Sequence, residues 1–379
     1  MRPGSNKRPP LTRAEKEQAL ACIQADTPLP LPLLEKLAPL PENGLFLWQG
    51  KHTTPQPAAP PSEAFMAAIQ AVSAAPSFAG LLFSGDNLPL LSMLQAFKQQ
   101  ETPAIQTLFG INGGFALIYA DPPFGTGSLF HVPQGQAEGK QILAYNDRWE
   151  GGLAEYLTML WPRILLMRAL LAKNGVLCIH CDWRTAPAIR LLLDECFGAE
   201  HFVNEVVWHY TGGGRSRRYF SRKHDLLLLY AASGNWKFNI DAIRVPYLKT
   251  SGYARSGITS RAGKQYFPNP RGTPRDDVFS IPMLNPMAKE RVAYATQKPL
   301  ALLQPIVAAF TDPGDLVGDF FCGSGTTLEA ATSQNRRFVG CDMGEQAFLV
   351  CSHRLEKILT PARLAPHPPY LTARAYYRK

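Results

Sequence analysis

Two apolar runs of strand length, at 115–120 and 316–320, each empty into a turn that carries an acid, and 198 positions separate Asp121 from Asp319. The first turn reads Asp121-Pro122-Pro123-Phe124. The second reads Asp319-Phe320-Phe321-Cys322-Gly323-Ser324-Gly325-Thr326-Thr327 and passes directly into a helical pattern. Around both, short apolar runs alternate with longer amphipathic stretches. Strands are expected at 81–83, 176–180 and 338–341 besides the two named. Helices are expected at 88–98, 153–167, 184–196, 327–335 and 346–359. Pro162 should kink the second of these, Asn174-Gly175 should stop it, and Gly198 should close the third. Strands separated by such helices pair in parallel through crossovers. The expected fold is therefore α/β, a Rossmann-like, doubly wound and mostly parallel sheet. Ligands of such sheets lie outside the carboxyl ends of the strands, so the two turns are candidates for one site.

The stretch 206–291 breaks this rhythm. It is rich in Gly, Arg, Tyr and Pro, and only 226–230 reads clearly as a strand. Between Thr211 and Arg275 there are thirteen Lys and Arg against two Asp, a local excess of +11 that exceeds the +9 of the whole chain. Arg215, Arg217, Arg218, Arg222 and Lys223 begin this run and are interleaved with Tyr219 and Phe220. Cations set a salt-dependent phosphate affinity, and some arginines can read guanine edges. A solvated basic surface is the plainer alternative, but the one-sided charge between two chemistry-bearing turns favours contact with DNA.

The first 75 residues differ again. Residues 1–10 are basic and proline-rich and expected to be frayed, Thr12 and Glu15 have capping-box spacing ahead of a helix, and 28–61 repeats proline too often for regular structure. The expected organisation is an accessory segment 1–75, a first half of the core at 76–205, the basic module 206–291, a second half of the core at 292–360 and a tail 361–379. Seven Cys without a tandem pattern, and no leader or long apolar span, point to a reduced, cytoplasmic setting without membrane contact.

The chemistry of the turns can be read from their residue types. In the second, glycines let the backbone approach a ligand, and Asp342 ends the next strand 23 residues after Asp319, where an acid can take both ribose hydroxyls. Thr327 stands where a dinucleotide fingerprint has its third glycine, and no phosphate-loop lysine motif is present, so a nucleoside cofactor fits better than a dinucleotide. In the first turn, two prolines fix the backbone and leave the Pro122 carbonyl as a rigid acceptor beside the Asp121 carboxylate. Two acceptors side by side match the two N–H donors of an aromatic amine, and Phe124 offers a flat face to its ring. Such a pair orients the amine and stabilises positive charge developing on it.

Together these motifs resemble the amino-group DNA methyltransferases of the β class, in which the D-P-P-[YFW] motif precedes F-x-G-x-G. The chain is also similar to modification subunits of type III restriction systems. Gly85-Asp86-Asn87-Leu88, Tyr145-Asn146-Asp147-Arg148-Trp149 and Thr296-Gln297-Lys298-Pro299 are further matches, and the resemblance covers about residues 80–360. It implies the class I methyltransferase fold in permuted motif order, with S-adenosylmethionine as cofactor. It also implies N6 methylation of a flipped-out adenine in double-stranded DNA. Asp121, Pro122, Pro123 and Phe124 would hold and stack the base. Residues 319–327 and Asp342 would hold the cofactor, with Asp86 and Lys298 along the same pocket. Phe320 stands where the family often has proline. The length points to a stand-alone enzyme; a second copy of the chain and a cognate restriction enzyme stay open as protein partners.

Other readings compete. N4-cytosine methylation uses the same geometry, although Asp rather than Ser opens the catalytic motif. A nucleotide-dependent oxidoreductase and an inactive DNA-binding protein are remoter. Cys178, His180, Cys181 and Asp182 are metal-ligand types, but strand alternation spreads them over two faces and no second pair stands at zinc spacing, so no metal is expected. Cys322 is read as a small loop residue rather than a nucleophile, since direct transfer needs no covalent step.

Overall fold

The apolar runs pair as parallel strands. The computed structural model describes residues 12–25, 27, 30, 33, 48, 51, 63–99, 107–110, 112–125, 129–133, 141–147, 149–212, 214–248, 250–285, 287–292, 294, 296–363 and 372–379. One ten-stranded sheet comprises β1 (Phe78–Ser84), β2 (Phe115–Ala120), β3 (Leu171–Cys181), β4 (Phe202–His209), β5 (His224–Ala231), β6 (Val278–Ser280), β7 (Leu316–Asp319), β8 (Arg337–Asp342), β9 (Leu359–Arg363) and β10 (Thr372–Arg378). Their spatial order is β6-β4-β5-β3-β2-β7-β8-β1-β10-β9. The block β3-β2-β7-β8-β1 is parallel throughout, and antiparallel neighbours extend it on both sides. The expected α/β sheet is thus observed. β2 is buried along its whole length and β1 all but its last residue, which explains why both read as unbroken apolar runs rather than alternating ones.

From β2 the chain passes through helix Gly152–Leu170 to β3 on one side; from β7 it passes through helix Thr326–Ser333 to β8 on the other. The winding direction therefore reverses between β2 and β7, where open sheets leave a crevice. The register sets Asp319 opposite Tyr119, so Asp121 leaves its strand two residues above that level.

Two compact units divide the chain, Met1–Leu47 and Trp48–Lys379. In the first, helix Arg13–Gln24 carries the expected capping box: the Thr12 hydroxyl accepts from the Glu15 amide at 3.3 Å, and the Glu15 carboxylate accepts from the Thr12 amide at 2.8 Å. The expected frayed arm at 1–10 and most of the proline-rich stretch lie outside the described residues.

Several elements differ from the sequence reading. The helix through Pro162 ends at Leu170, and Asn174-Gly175 lies inside β3 instead of terminating the helix. Gly175 is there because the strands nearly touch: a Cβ would lie 2.4 Å from the Phe115 carbonyl oxygen. The basic stretch also gives more to the sheet than 226–230. It supplies all of β5 and β6 and completes β4, where Val206 and Trp208 are buried between exposed Glu205 and His209. Next to the edge strand β9, β10 lies antiparallel to β1, with Tyr376 packed on Phe338 at 6.0 Å between ring centroids. No helix among the described residues is long and apolar enough to cross a membrane.

The closeness of β1 and β8 can be tested. A Cβ at Gly80 would fall 2.5 Å from the Phe338 carbonyl oxygen. Gly80→Ala should therefore cost about 1–3 kcal/mol through overpacking, read as a lowered urea midpoint. An unchanged midpoint would mean the strands do not approach this closely.

Candidate active site

Asp121-Pro122-Pro123-Phe124 leaves the end of β2 with Pro122 buried and the other three half-buried. The turn is anchored from outside: the buried Asp147 accepts the Gly125 amide at 2.8 Å and lies 3.4 Å from the Trp149 indole nitrogen. This gives a physical role to the acid in the Tyr145–Trp149 motif; the side chain of Tyr145 and all of Arg148 lie outside the described residues. Lys298, expected along the cofactor pocket, donates to the Asp121 carboxylate, and its Nζ stands 5.2 Å from the centroid of the Phe124 ring. It therefore meets the Asp121–Phe124 turn directly.

Beneath Asp121 runs a polar chain that sequence reasoning missed. His180, fully buried near the end of β3, has Nδ1 2.6 Å from the Tyr119 hydroxyl and 3.8 Å from Asp121. Its Nε2 is 3.3 Å from Asp225 of β5, which also accepts from the Tyr210 hydroxyl at 3.1 Å. Burial works against charge on Asp225, but the hydrogen bond and charge of His180, then the charge of Lys298 and the Tyr210 hydroxyl, outweigh it and hold the carboxyl below its usual range. Phe124 and Trp208 flank the imidazole at 5.5 and 5.6 Å. The signal was present in the order of β3, β2 and β5, which only the assembled sheet reveals. Cys178 and Cys181, the neighbouring metal-ligand types, are fully buried.

The cofactor turn follows the expected strand-to-helix path. Gly323 and Gly325 have φ of 49° and 78°, which side-chain-bearing residues rarely adopt. A Cβ at Gly325 would lie 2.4 Å from Cys351 Sγ. Asp342 accepts the Gly323 amide at 2.8 Å and the Gly344 amide at 2.9 Å, so it shapes the glycine loop while keeping lone pairs free. Burial raises its carboxyl, and raises that of Asp319 to about 8. Asp319 accepts the Phe321 amide at 3.1 Å. Phe320, at the position where the family often has proline, is a core residue packed on Phe115 at 5.7 Å. Cys322 is buried beside Cys351, whose hydrogen bond together with burial pushes the thiol well above its usual range. Thr326 donates to the Lys298 carbonyl at 3.0 Å and accepts from Arg354 at 3.0 Å, which ties the helix start to the Lys298 segment.

Asp86 and Asn87, at the end of β1, close the arrangement. Asn87 donates to the Phe320 carbonyl at 2.6 Å, while Arg163 donates to Asn87 at 2.5 Å and to Asp86 at 2.7 Å. Asn87 belongs to the Gly85–Leu88 motif quoted from sequence, whereas Arg163 and Tyr294, which line the same cavity as Asp86 and Asn87, were not singled out. Asp121, Pro122, Pro123, Phe124 and Lys298 line one cavity of about 800 Å³ together with Asp86, Asp319, Phe320, Phe321, Cys322, Gly323, Ser324, Thr326, Thr327 and Asp342. Gly325 is set behind it. Arg215, Arg217, Arg218, Arg222 and Lys223 lie outside that cavity, on the loop joining β4 to β5.

Comparison with known proteins points to one family. A family model described as DNA methylase matches residues 115–351, well over half of the chain. The type II methyltransferase M1.MboII of Moraxella bovis is 35% identical over 38% of this chain and 59% of its own length. The DNA adenine methyltransferase YhdJ of Escherichia coli (strain K12) is 29% identical over 63% of the chain and 76% of its own length. The StyLTI Mod subunit, from a type III restriction-modification enzyme of Salmonella typhimurium, is 23% identical over 72% of the chain and 52% of its own length. The chain thus spans under two thirds of M1.MboII and of the Mod subunit. With both motif turns inside the matched region and opening onto one cavity, the chain belongs to the DNA methylase family.

Proposed function

We propose that the protein is an S-adenosylmethionine-dependent DNA methyltransferase acting on the N6 amine of an adenine extruded from the duplex. The observation that carries this reading is the single cavity bounded by Asp121 on one side and the Phe321–Gly323 backbone on the other. Restriction-modification is the proposed setting, after the names of the relatives.

The residues present fit the cofactor. A glycine loop with left-handed backbone, an acid poised at the end of β8, and two buried carboxyls that favour a cationic ligand form one wall. Phe321, Gly323 and Asp342 would hold it, and when bound it supplies a methyl group activated by a sulfonium centre. The chain's own part is to hold the amine. Asp121 and the Pro122 carbonyl accept from the two N–H groups, Phe124 stacks on the ring, and Trp149 lines the same cavity. Proximity and charge stabilisation do the work, with no covalent enzyme step. The adenine preference follows from Asp opening the motif and agrees with the name of YhdJ. Nucleoside mass spectrometry of modified DNA should show N6-methyladenine, and N4-methylcytosine would overturn the adenine assignment.

Asp121→Ala should lower methyl incorporation into DNA by at least about 100-fold. Calorimetry should show S-adenosylmethionine binding within about threefold of the parent, because the loop at 321–325 does not depend on Asp121. Parental activity in the variant would exclude Asp121 from the reaction.

The burial of Asp319 predicts a pH dependence. Its carboxyl titrates at about 8 in the fold but near 3.9 in an unfolded chain. Between about pH 4 and 8 the native state holds a proton the unfolded state has lost, so this stabilising contribution declines as pH rises through the window. The ligand-free protein should therefore show a Tm that falls from pH 5 to pH 8, and Asp319→Asn should reduce that slope, leaving the part due to Asp342. An unaltered slope in the variant would show that Asp319 is not the responsible group.

A further inference from the structure

The loop between β4 and β5 presents a bare aromatic side chain among cations. Phe220 is 99% exposed. The loop, residues 210–223, carries Arg215, Arg217, Arg218, Arg222 and Lys223 and no acid. The loop is also built. Lys223 caps the Gly212 carbonyl and, at 3.0 Å, that of Gly214. The Ser221 hydroxyl accepts the Ser216 amide at 3.0 Å, and the Ser216 hydroxyl accepts the Arg218 and Tyr219 amides, both at 3.2 Å. The Arg222 guanidinium stacks 3.7 Å over the Trp183 ring and 4.5 Å over that of Tyr219. Its neighbours on both sides are thus held by hydrogen bonds and stacking, while Phe220 stands in solvent.

A hollow of about 440 Å³ lies against this loop, lined by Gly214, Arg215, Tyr219 and Arg222. Its remaining walls include Asp182, Arg184, Tyr210 and Asp225, which also line the cavity that holds Asp121. The loop therefore lies beside the wall of the cavity that holds Asp121.

We propose that Phe220 is the wedge that enters the duplex as the target base leaves it. The proposal rests on the DNA methyltransferase reading and adds how this chain opens the helix. Extrusion leaves a gap in the base stack and an unpaired partner base. A flat apolar ring that is unfavourably placed in water becomes favourably placed in that gap, stacked on the adjoining bases. The surrounding arginines and Lys223 take phosphates on either side, which positions the ring without reading sequence.

The test compares the parent, Phe220→Ala and Phe220→Trp on a duplex carrying the site that the parent methylates in plasmid DNA. The same duplex is then used with an abasic position opposite the target base. On the paired duplex Phe220→Ala should methylate at least about tenfold more slowly than the parent, and Phe220→Trp within about threefold, since extrusion then lacks its wedge only in the alanine variant. On the abasic duplex, where extrusion needs little help, Phe220→Ala should return to within about threefold of the parent. A parental rate for Phe220→Ala on paired DNA overturns the proposal. An equal deficit on both duplexes also overturns it, because Phe220 would then act in docking rather than extrusion. If the parent methylates no DNA under any condition, the methyltransferase reading itself fails.

Discussion

The backbone ladder between β2 and β7 is the constraint on which the rest of the molecule depends. It sets Asp319 beside Tyr119 in register and thereby makes neighbours of two strand ends that the sequence separates by 198 positions. Parallel pairing with helices on both faces favours apolar strands, so the acids of the cavity stand at the last residue of a strand or just past it. Asp121, Asp319 and Asp342 sit there because that is where a carboxylate can be tolerated. Their burial is not free of cost, and the raised carboxyls of Asp319 and Asp342 register it. A cavity in which burial works against the charged forms of Asp319 and Asp342 gains from a ligand that brings positive charge.

The Lys298 contact brings a cation to the acid of the first turn. Its ammonium donates to Asp121 and lies over Phe124, the two groups that an aromatic amine and its ring would engage. A fixed cation there would oppose positive charge developing on a nitrogen held by Asp121. Thr326 fixes the backbone of Lys298 while the side chain keeps its rotatable bonds. The chain of Tyr119, His180, Asp225 and Tyr210 lies under the same carboxylate and joins the parallel half of the sheet to the antiparallel β5.

Much of this was legible from sequence, for identifiable reasons. β2 and β7 were readable because buried parallel strands are contiguous apolar runs, and both motif turns were readable because proline and glycine reveal backbone demands without a fold. The Thr12–Glu15 box was readable because capping is local. What stayed hidden is non-local. His180 and Asp225 belong together only because β3 and β5 are adjacent. Arg163 meets Asp86 and Asn87 only after a helix packs across the sheet. β4 and β10 mix buried with partly exposed side chains, which dilutes their signal, and a Gly inside β3 resembles a helix stop unless Phe115 is set against it. The basic stretch was read as an interruption, whereas part of it extends the same sheet.

The meeting of the two strand ends in one working site is tested most directly by a crystal structure with sinefungin, an analogue that carries an amine in place of the transferable methyl. The ribose should lie on Asp342 and the amine should face Asp121 and the Pro122 carbonyl. A methyl at that point would then lie about 3–3.5 Å from an amine held there. An analogue bound on another surface, or bound with its amine turned away from Asp121, would contradict a shared site.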